Sequence, residues 1–450
     1  MEEAFEWGCA CSAYQVEGAI QEGGKEPNIW DDYCRVPGKI KHGHTGDVAT
    51  DFYHRYDEDI LLASTSGFSH FRLSLSWSRI LHTDSNTPNM EGIQFYNRVF
   101  QSLRQHNMKA CVTLYHWDMP SSLFSAECAG WTSEKIIPKF VEYASVCFEH
   151  FGSQVDSWIT FNEPKVFVFY GYGDGSSPPG MKDSKFKAAR NVLLAHAHVV
   201  RKFRTLEISK KSSIGITLNM RMFIPQDPLN EFEKQKCQEE LEKNIGLWAD
   251  PLFLGDYPAV LLNQQSTTDK ITLFTAEEKE LLKGTVDFLG INYYSSTGIK
   301  QNNGSAQGFD YITIGLPSGA SWLTSYPDGL VPLLEWLTNR YKPVCPQLKL
   351  KITENGYATN TLVDNWSKDV EIDDTGRVNY YKAHVNQVLE ARKKVPLVGY
   401  YAWSITDNFE WHGGYTERFG LIYIDFEKPD LPRTPKQSLK WFTEFLKSKQ

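Results

Sequence analysis

Short runs of strand type alternate with amphipathic stretches along the whole chain. Eight runs are rich in β-branched and aromatic residues and have the length of buried strands. They cover residues 5–10, 67–77, 109–116, 156–162, 213–220, 286–293, 348–354 and 396–403. Between and after them, apolar residues recur at spacings of three and four, as on the buried face of a helix. These stretches cover residues 51–63, 92–106, 133–151, 186–207, 231–248 with 275–283, 329–341, 379–393 and 434–447.

Regular alternation of strand and helix predicts parallel strands, and eight repeats predict a closed (β/α)8 TIM barrel wrapped in helices. A doubly wound open sheet is the alternative, but it would have about six strands and usually a glycine-rich phosphate loop. The sequence contains neither GxGxxG nor a Walker motif. No linker or charge run interrupts the pattern, so we predict one catalytic domain over residues 1–450 with extended βα loops. The weakly patterned stretch 300–328 is expected to be a long loop over the active face.

Two glutamates stand where predicted strands end, Glu163 after residues 158–162 and Glu354 after residues 349–353. Taken alone, Asn162 and Glu163 could simply cap the next helix. In TIM barrels, however, the chemistry lies at the carboxyl ends of the strands, and polar clusters follow or lie in seven of the eight runs here. These clusters include Gln15, Arg72, His116, Asn162 with Glu163, Asn292 with Tyr294, Glu354, and Trp403 with Glu410 and Trp411. The two acids are therefore a candidate catalytic pair.

Composition narrows the classes of partner. Apolar residues make up 41% and charged residues 23% of the chain, which is ordinary for a globular enzyme. Aromatic residues are frequent at 14%, which suits either the faces of sugars or a large aromatic core. The net charge of −8 argues against nucleic acid or an anionic membrane surface as a partner. No window approaches the roughly 20 apolar residues of a membrane span, and no metal-ligand cluster or cofactor motif is evident.

Sequence features do not decide between a cytoplasmic and a secreted protein. Eight cysteines without repeated spacing favour buried free thiols and a reducing environment, whereas sequons at Asn303 and Asn365 favour secretion. The N-terminus has no basic and apolar signal segment, as in a cytoplasmic protein or in the mature form of a secreted one.

Four motifs in order resemble glycoside hydrolase family 1, the β-glucosidases, over residues 5–441. They are Phe5-Glu6-Trp7-Gly8 with Tyr14-Gln15-Val16-Glu17-Gly18, Thr160-Phe161-Asn162-Glu163-Pro164, Ile352-Thr353-Glu354-Asn355-Gly356, and Asp407-Asn408-Phe409-Glu410-Trp411 with Arg418-Phe419-Gly420. The sequence as a whole is similar to the animal, insect-like branch of this family. The resemblance implies retaining hydrolysis of terminal β-D-glucosides, with side activity on β-galactosides and β-fucosides. A small β-glycoside or oligosaccharide is the implied substrate, and a monomer or homodimer is expected.

The resemblance also implies roles for individual residues. Glu354 would be the nucleophile, beside Arg72 and Tyr294 and supported by Asn292, and Glu163 would be the acid and base. Retention requires the two carboxyls to stand about 5 to 5.5 Å apart. The implied sugar-hydroxyl ligands are Gln15, His116, Asn162, Glu410 and Trp411, with Trp403 under the sugar face, Phe419 packing in the same pocket and Trp322 as the aglycone platform. Each of these residues alone has an ordinary structural interpretation, such as a core aromatic ring or an ion pair.

Departures from the family pattern affect mainly the leaving-group side. Cys9 and Cys11 replace smaller residues, the loop 171–180 is short, and Asp328 stands where an aromatic residue is common. A phospho-β-glycosidase would be expected to carry serine in place of Glu410. A plant-like myrosinase would carry glutamine in place of Glu163, although insect-type myrosinases keep the acid. Transglucosylation stays open, and a non-catalytic klotho-like binding protein would have lost one of the two acids.

Overall fold

Eight parallel strands close into a barrel in a computed structural model that describes residues 4–263, 270–363 and 366–449. The strands are β1 Glu6–Ala10, β2 His70–Ser74, β3 Lys109–Tyr115, β4 Ser157–Asn162, β5 Ser213–Met220, β6 Phe288–Tyr293, β7 Leu350–Asn355 and β8 Leu397–Trp403. Their order around the barrel is their order in the chain, and β8 pairs with β1 to complete it. The predicted (β/α)8 barrel is confirmed.

Helices follow the strands and cover the outside of the barrel. The longest in each connection are α1 Phe52–Thr65, α2 Met90–Gln105, α3 Ile136–Phe151, α4 Lys185–Arg204, α5 Glu231–Leu241, α6 Leu330–Tyr341, α7 Thr375–Ala391 and α8 Gln437–Lys447. The predicted helix 231–248 is not continuous, because a π-helical turn, Glu242–Gly246, separates α5 from the next helix, Leu247–Leu254. The predicted strand 67–77 is too long, because the chain turns into a short helix at Trp77.

Smaller elements decorate this frame. Further α-helices are Ala13–Val16, Ile29–Cys34, Trp77–Ile80, Pro164–Tyr172, Ala259–Leu262, Ala276–Leu282 and Lys368–Asp373. Short 3-10 turns lie at Lys41–Gly43, Ser121–Leu123, Gly130–Thr132, Gly152–Gln154, Glu207–Lys210, Pro327–Gly329 and Trp411–Gly413. Short strands outside the barrel are Leu81–His82, Thr87–Pro88, Phe223–Pro225, Thr297–Gln301, Phe309–Thr313, Leu316–Pro317, Thr324–Ser325, Thr359–Asn360, Glu417–Arg418, Ile422–Ile424 and Arg433–Pro435.

The stretch 300–328 is not the irregular loop that we predicted. Strand Thr297–Gln301 pairs with Phe309–Thr313 and with Phe223–Pro225 in a small three-stranded sheet, and Leu316–Pro317 pairs with Thr324–Ser325. Two of these strands have five residues and the other three have two or three, and many of their residues are partly exposed, so the sequence carries little hydrophobic periodicity. The sequon at Asn303 lies in the turn of this sheet, whereas Asn365 and residues 1–3 lie outside the described ranges.

The inside of the barrel is polar and filled. Near the amino ends of the strands, the Lys351 ammonium lies 2.8 Å from a Glu6 carboxylate oxygen. Higher up, the Thr353 hydroxyl lies 3.1 Å from that of Thr217 and donates to the Asn292 amide oxygen at 2.8 Å. A methyl group added at Gly290 would come within 2.2 Å of the Thr217 hydroxyl oxygen, so only glycine fits there. This packed interior fixes the floor beneath the polar residues at the carboxyl ends.

Seven of the eight cysteines are buried, and Cys345 is partly exposed. Across the described ranges, no helix has the length and apolar character needed to cross a membrane.

Candidate active site

The two predicted catalytic acids line one cavity of about 530 Å³ at the carboxyl ends of the strands. Glu163 comes directly after β4, and Glu354 is the next-to-last residue of β7. Both are buried, with 8% and 4% of their surface exposed. In each strand the register shifts by one residue just before the acid, between Ile159 and Asn162 in β4 and between Ile352 and Glu354 in β7.

Glu163 does not cap the helix that follows it. It occupies the position before Pro164–Tyr172, but its side chain makes no capping hydrogen bond. Its backbone is left-handed, with φ of 48°, a conformation that costs about 1 to 2 kcal/mol for a residue with a side chain. The Asn292 amide donates to a Glu163 carboxyl oxygen at 2.7 Å. The capping interpretation is therefore wrong, and the strained backbone turns the carboxyl into the cavity.

Glu354 has a different set of neighbours. The Arg72 guanidinium donates to one of its oxygens at 2.7 Å and the Tyr294 hydroxyl donates to the other at 2.8 Å. Arg72 is itself buried and also donates to the Asn162 amide oxygen at 2.7 Å. Asn292 donates to that same oxygen at 3.0 Å. A connected set of hydrogen bonds thus joins the surroundings of the two acids.

These environments separate the pKa values of the two carboxyls. Burial, and then the charge of Glu354, raises the pKa of Glu163 to about 8. Burial also raises the pKa of Glu354, but the Arg72 charge and the Tyr294 hydrogen bond act against it. Glu354 receives a charged donor and a hydroxyl, whereas Glu163 receives only an amide, so the proton of the pair resides on Glu163 near neutral pH.

Most of the predicted sugar-binding residues surround the same cavity. Its wall includes His116, Asn162, Asn292, Tyr294, Trp322, Trp403, Glu410, Trp411 and Phe419. Gln15 and Arg72 lie behind the wall, where Gln15 donates to a Glu410 carboxyl oxygen at 3.1 Å and Arg72 contacts Glu354. The structure thus brings the predicted residues together, and their individual roles stay predictions.

The aromatic residues form two groups in the wall. The imidazole of His116 stacks on Trp403 with centroids 5.8 Å apart, and burial together with Arg72 lowers its pKa well below the usual value, so it is neutral. Trp322 stacks on Phe419 at 6.2 Å and is 48% exposed at the mouth. The His116–Trp403 pair is thus buried, whereas the Trp322 ring is open to solvent.

Buried ion pairs hold the segment after β8 that carries Glu410 and Trp411. Asp407 lies 2.9 Å from the Arg418 guanidinium and 2.7 Å from the Lys436 ammonium, and it accepts a hydrogen bond from the Gly420 backbone at 3.0 Å. Removing one partner of such a buried pair leaves an uncompensated charge. These contacts fix the wall of the cavity from behind.

Several residues of the cavity wall were not predicted from the sequence. Asn219, Met220 and Arg221 end or follow β5, and Val166, Phe167 and Tyr170 lie on helix Pro164–Tyr172. The rule that polar residues at strand ends face the site would have found Asn219 and Arg221, since β5 was the one strand at which we singled out nothing. Residues 176–178 of the short loop also line the cavity, whereas Asp328 is exposed outside it and bonds to Gln387 at 3.1 Å.

No group of three or more potential metal ligands occurs among the residues that the structure describes.

Known proteins resemble the chain over its whole length. A family model described as glycosyl hydrolase family 1 matches residues 1–450. Beta-glucosidase 42 of Arabidopsis thaliana is 39% identical over 98% of this chain and 93% of its own, and beta-glucosidase A of Thermotoga maritima is 35% identical over 99% and 97%. A rice β-glucosidase mutant, solved in a covalent complex with Glc, superimposes with a TM-score of 0.92 at 32% identity and covers 98% of each chain. The chain therefore belongs to glycosyl hydrolase family 1, as its motifs indicated, and is a glycoside hydrolase.

Proposed function

We propose that the enzyme hydrolyses terminal β-D-glucosyl residues with retention, through a covalent glycosyl-enzyme intermediate. The observation that carries the proposal is the contrast between two buried carboxyls in one cavity. Glu354 receives Arg72 and Tyr294, whereas Glu163 holds its proton to about pH 8. Retaining glycosidases need this division, one carboxylate to attack and one acid to donate.

In the first step, a Glu354 oxygen attacks the anomeric carbon while the bond to the leaving oxygen breaks. Glu163 donates its proton to that oxygen, so the aglycone departs as a neutral alcohol or phenol. Tyr294 and Arg72 position the attacking carboxylate. Glu354 becomes an ester and loses its charge.

In the second step, Glu163 acts as a base. Glu163 gave its proton to the leaving oxygen and is now a carboxylate, and the loss of the Glu354 charge removes the second cause of its raised pKa, so it stays deprotonated until water supplies a proton. It takes a proton from water, whose oxygen attacks the anomeric carbon and releases Glu354 as a carboxylate. An alcohol in place of water would give transglucosylation.

The sugar is held by the wall nearest the acids. We propose that Asn162, fixed by Arg72 and by Asn292, bonds the 2-hydroxyl, where interactions strengthen in the transition state. Trp403 packs under the sugar face, and His116, Glu410 and Trp411 contact other hydroxyls, with Gln15 holding Glu410. Burial, followed by the charges of Glu417 and Glu354, raises the pKa of Glu410 well above its usual value, and a 6-phosphate would add further negative charge to this acidic wall.

Initial rates on a substrate panel test this function. The panel holds the p-nitrophenyl β-glucoside, β-galactoside, β-fucoside, β-mannoside and 6-phospho-β-glucoside, together with a β-thioglucoside. We expect the glucoside to be the preferred substrate, with slower turnover of the galactoside and fucoside. NMR of the first product should show the β anomer, and a first product with α configuration would refute retention.

Two variants test the roles of the acids. Glu354→Gln should be inactive, and Glu163→Gln should be slowed by roughly 10² to 10⁴-fold on substrates with poor leaving groups. Exposed Glu207→Gln is a matched control that should leave the rates unchanged. No turnover of any aryl β-glycoside by the wild type would favour the klotho-like binding protein.

We also propose that residues 1–450 form one catalytic domain, and that the enzyme is a monomer or homodimer. The pairing of β1 with β8 supports one domain, since it joins the two ends of the chain in one sheet. A single unfolding transition and light scattering would test the two proposals.

A further inference from the structure

Arg221 lines the cavity together with Trp322, the residue predicted to support the leaving group, and we call this part of the cavity the leaving-group end. It follows β5 at the carboxyl end of the barrel, and its exposed side chain forms part of the cavity wall together with Tyr170 and Trp322. One terminal nitrogen donates to the Thr297 hydroxyl at 3.0 Å. A guanidinium has five N–H donors, and the bond to Thr297 is the one side-chain hydrogen bond that Arg221 makes within the described part of the chain, so donors are left for a ligand.

Arg221 differs from the packed arginines of this protein in its partners. Arg72, Arg79 and Arg418 each pair with a carboxylate within 3 Å. Over the described ranges, Arg221 has no such ion pair, and the groups that interact electrostatically with it include three tyrosines and Lys165. A guanidinium that faces a cavity without a carboxylate is a ready site for one supplied by a substrate.

A second cation reinforces the positive charge at this end. Lys165, two residues after Glu163, donates to the Asn244 side chain. Burial, followed by the neighbouring charge of Arg221, lowers the pKa of Lys165 to about 8. The two cations are therefore close enough to repel each other, while the Glu240 and Glu163 carboxyls offset part of the Lys165 charge, and a bound anion would relieve the repulsion that remains.

The rest of the cavity disfavours anions. The acidic residues of its wall are Glu163, Glu354, Glu410 and Glu417, and Arg221 is its one lysine or arginine, within the residues described. A negative group beside these acids would be disfavoured, whereas one beside Arg221 would be paired. The leaving-group end is thus the place where a negative charge is stabilised.

We infer that Arg221 binds an anionic oxygen group, a carboxylate or sulfonate, on an aromatic leaving group whose ring packs against Trp322. This inference rests on the proposed glucosidase function and names the class of aglycone for the same site. Trp322 and Tyr170 supply flat apolar surface for the ring, and Arg221 supplies two parallel donors for the oxygens.

Matched pairs of aryl β-glucosides test the inference. The charged members are the 3-carboxyphenyl, 4-carboxyphenyl and 4-sulfophenyl glucosides, and the neutral ones are their carbamoyl and sulfamoyl analogues. We expect Arg221→Met to lower kcat/KM for at least one charged member by roughly tenfold relative to its neutral analogue. For each substrate, the kcat/KM of Arg221→Met is divided by that of the wild type. Differences in leaving-group reactivity between substrates cancel in this ratio. The carboxylate and sulfonate arms show which oxyanion is preferred.

Two further variants sharpen the test. Arg221→Lys keeps the charge but not the paired donors, so it should recover part of the loss. Arg104→Met, on the exposed face of α2, changes the net charge equally and should behave as the wild type. An equal effect of Arg221→Met on charged and neutral members of every pair would overturn the inference. Wild type that is inactive on all neutral glucosides would instead overturn the proposed function.

Discussion

The location of the proton between the two carboxyls can be tested with Glu354→Gln. The pKa of Glu163 is raised to about 8 from 4.5, a difference of about 3.5 units, or about 5 kcal/mol. Burial is the larger cause and the Glu354 charge the next. Two charges at the about 5.3 Å expected for a retaining pair, in an effective dielectric of about 20, repel by about 3 kcal/mol, which is about 2 pKa units. We therefore expect the pKa of Glu163 to fall by about 2 units in this variant and to stay above its usual value, because burial persists.

The assay is a ¹³C NMR titration of protein labelled at the glutamate side-chain carboxyl. The resonance that disappears in Glu163→Gln identifies Glu163 in the wild type. Glu207→Gln, on an exposed helical turn, changes the net charge by the same amount and should leave the Glu163 titration unchanged. A pKa of Glu163 that is the same in Glu354→Gln as in the wild type would refute the electrostatic coupling. A proton found on Glu354 at neutral pH would refute our assignment of acid and nucleophile.

Three further predictions concern rates. The kcat/KM of the wild type should fall above about pH 8 as Glu163 loses its proton, and this alkaline limb should be absent from Glu163→Gln measured with a 2,4-dinitrophenyl glucoside, whose leaving group needs no acid. Asn162→Ala should lower kcat/KM for a glucoside by roughly 10 to 100-fold but by clearly less for the 2-deoxyglucoside, and equal losses on both would argue against a bond to the 2-hydroxyl. Trp322→Ala should raise KM for aryl glucosides by roughly threefold to tenfold with little change in the melting temperature, because the ring is 48% exposed; a large drop in melting temperature would instead show a structural role.

The fold was predictable because each barrel strand is an almost fully buried run of five to eight residues, and a helical pattern follows each of them. Elements without such a run were missed. The paired strands Leu316–Pro317 and Thr324–Ser325 have two residues each, too few to show a period. The π-helical turn Glu242–Gly246 keeps the helical pattern of its neighbours, so the sequence gives no sign that the helix is interrupted.

Most residues of the candidate site could be predicted, but the contacts that they make could not. Glu163 and Glu354 stand at strand ends in recognisable motifs, so their position on the rim could be inferred. Arg221 stands at a strand end too, but it belongs to none of the motifs, and only the structure shows that it has no carboxylate partner among the residues described. That Gln15 lies behind Glu410 instead of in the wall also depends on packing that no pattern encodes.

The direction of the β4 side chains contradicts a simple strand pattern. Residues three apart in a regular strand point to opposite faces. In β4, however, Trp158 packs on Phe148 at 5.0 Å and Phe161 packs on Phe140 at 4.6 Å, and both partners lie on α3. An extra residue in β4 explains why Trp158 and Phe161 both face α3. The step from Ile159 to Asn162 spans three residues, whereas the paired step in β5, from Gly215 to Thr217, spans two. The extra residue also turns Asn162 inward, where a regular strand would point it out.

β7 also contains an extra residue, just before the second acid, Glu354. Thr353 faces the barrel interior, bonded to Asn292, and the next residue, Glu354, also faces inward, bonded to Arg72. Adjacent residues of a regular strand cannot share a face, and the register with β6 shifts between Ile352 and Glu354. Deleting one residue before Glu354 should therefore preserve the pairing of the strand while rotating the Glu354 carboxyl out of the cavity. Far-ultraviolet circular dichroism should then resemble that of the wild type while activity is lost, and an active deletion variant would show that the shifted register is not what aims Glu354.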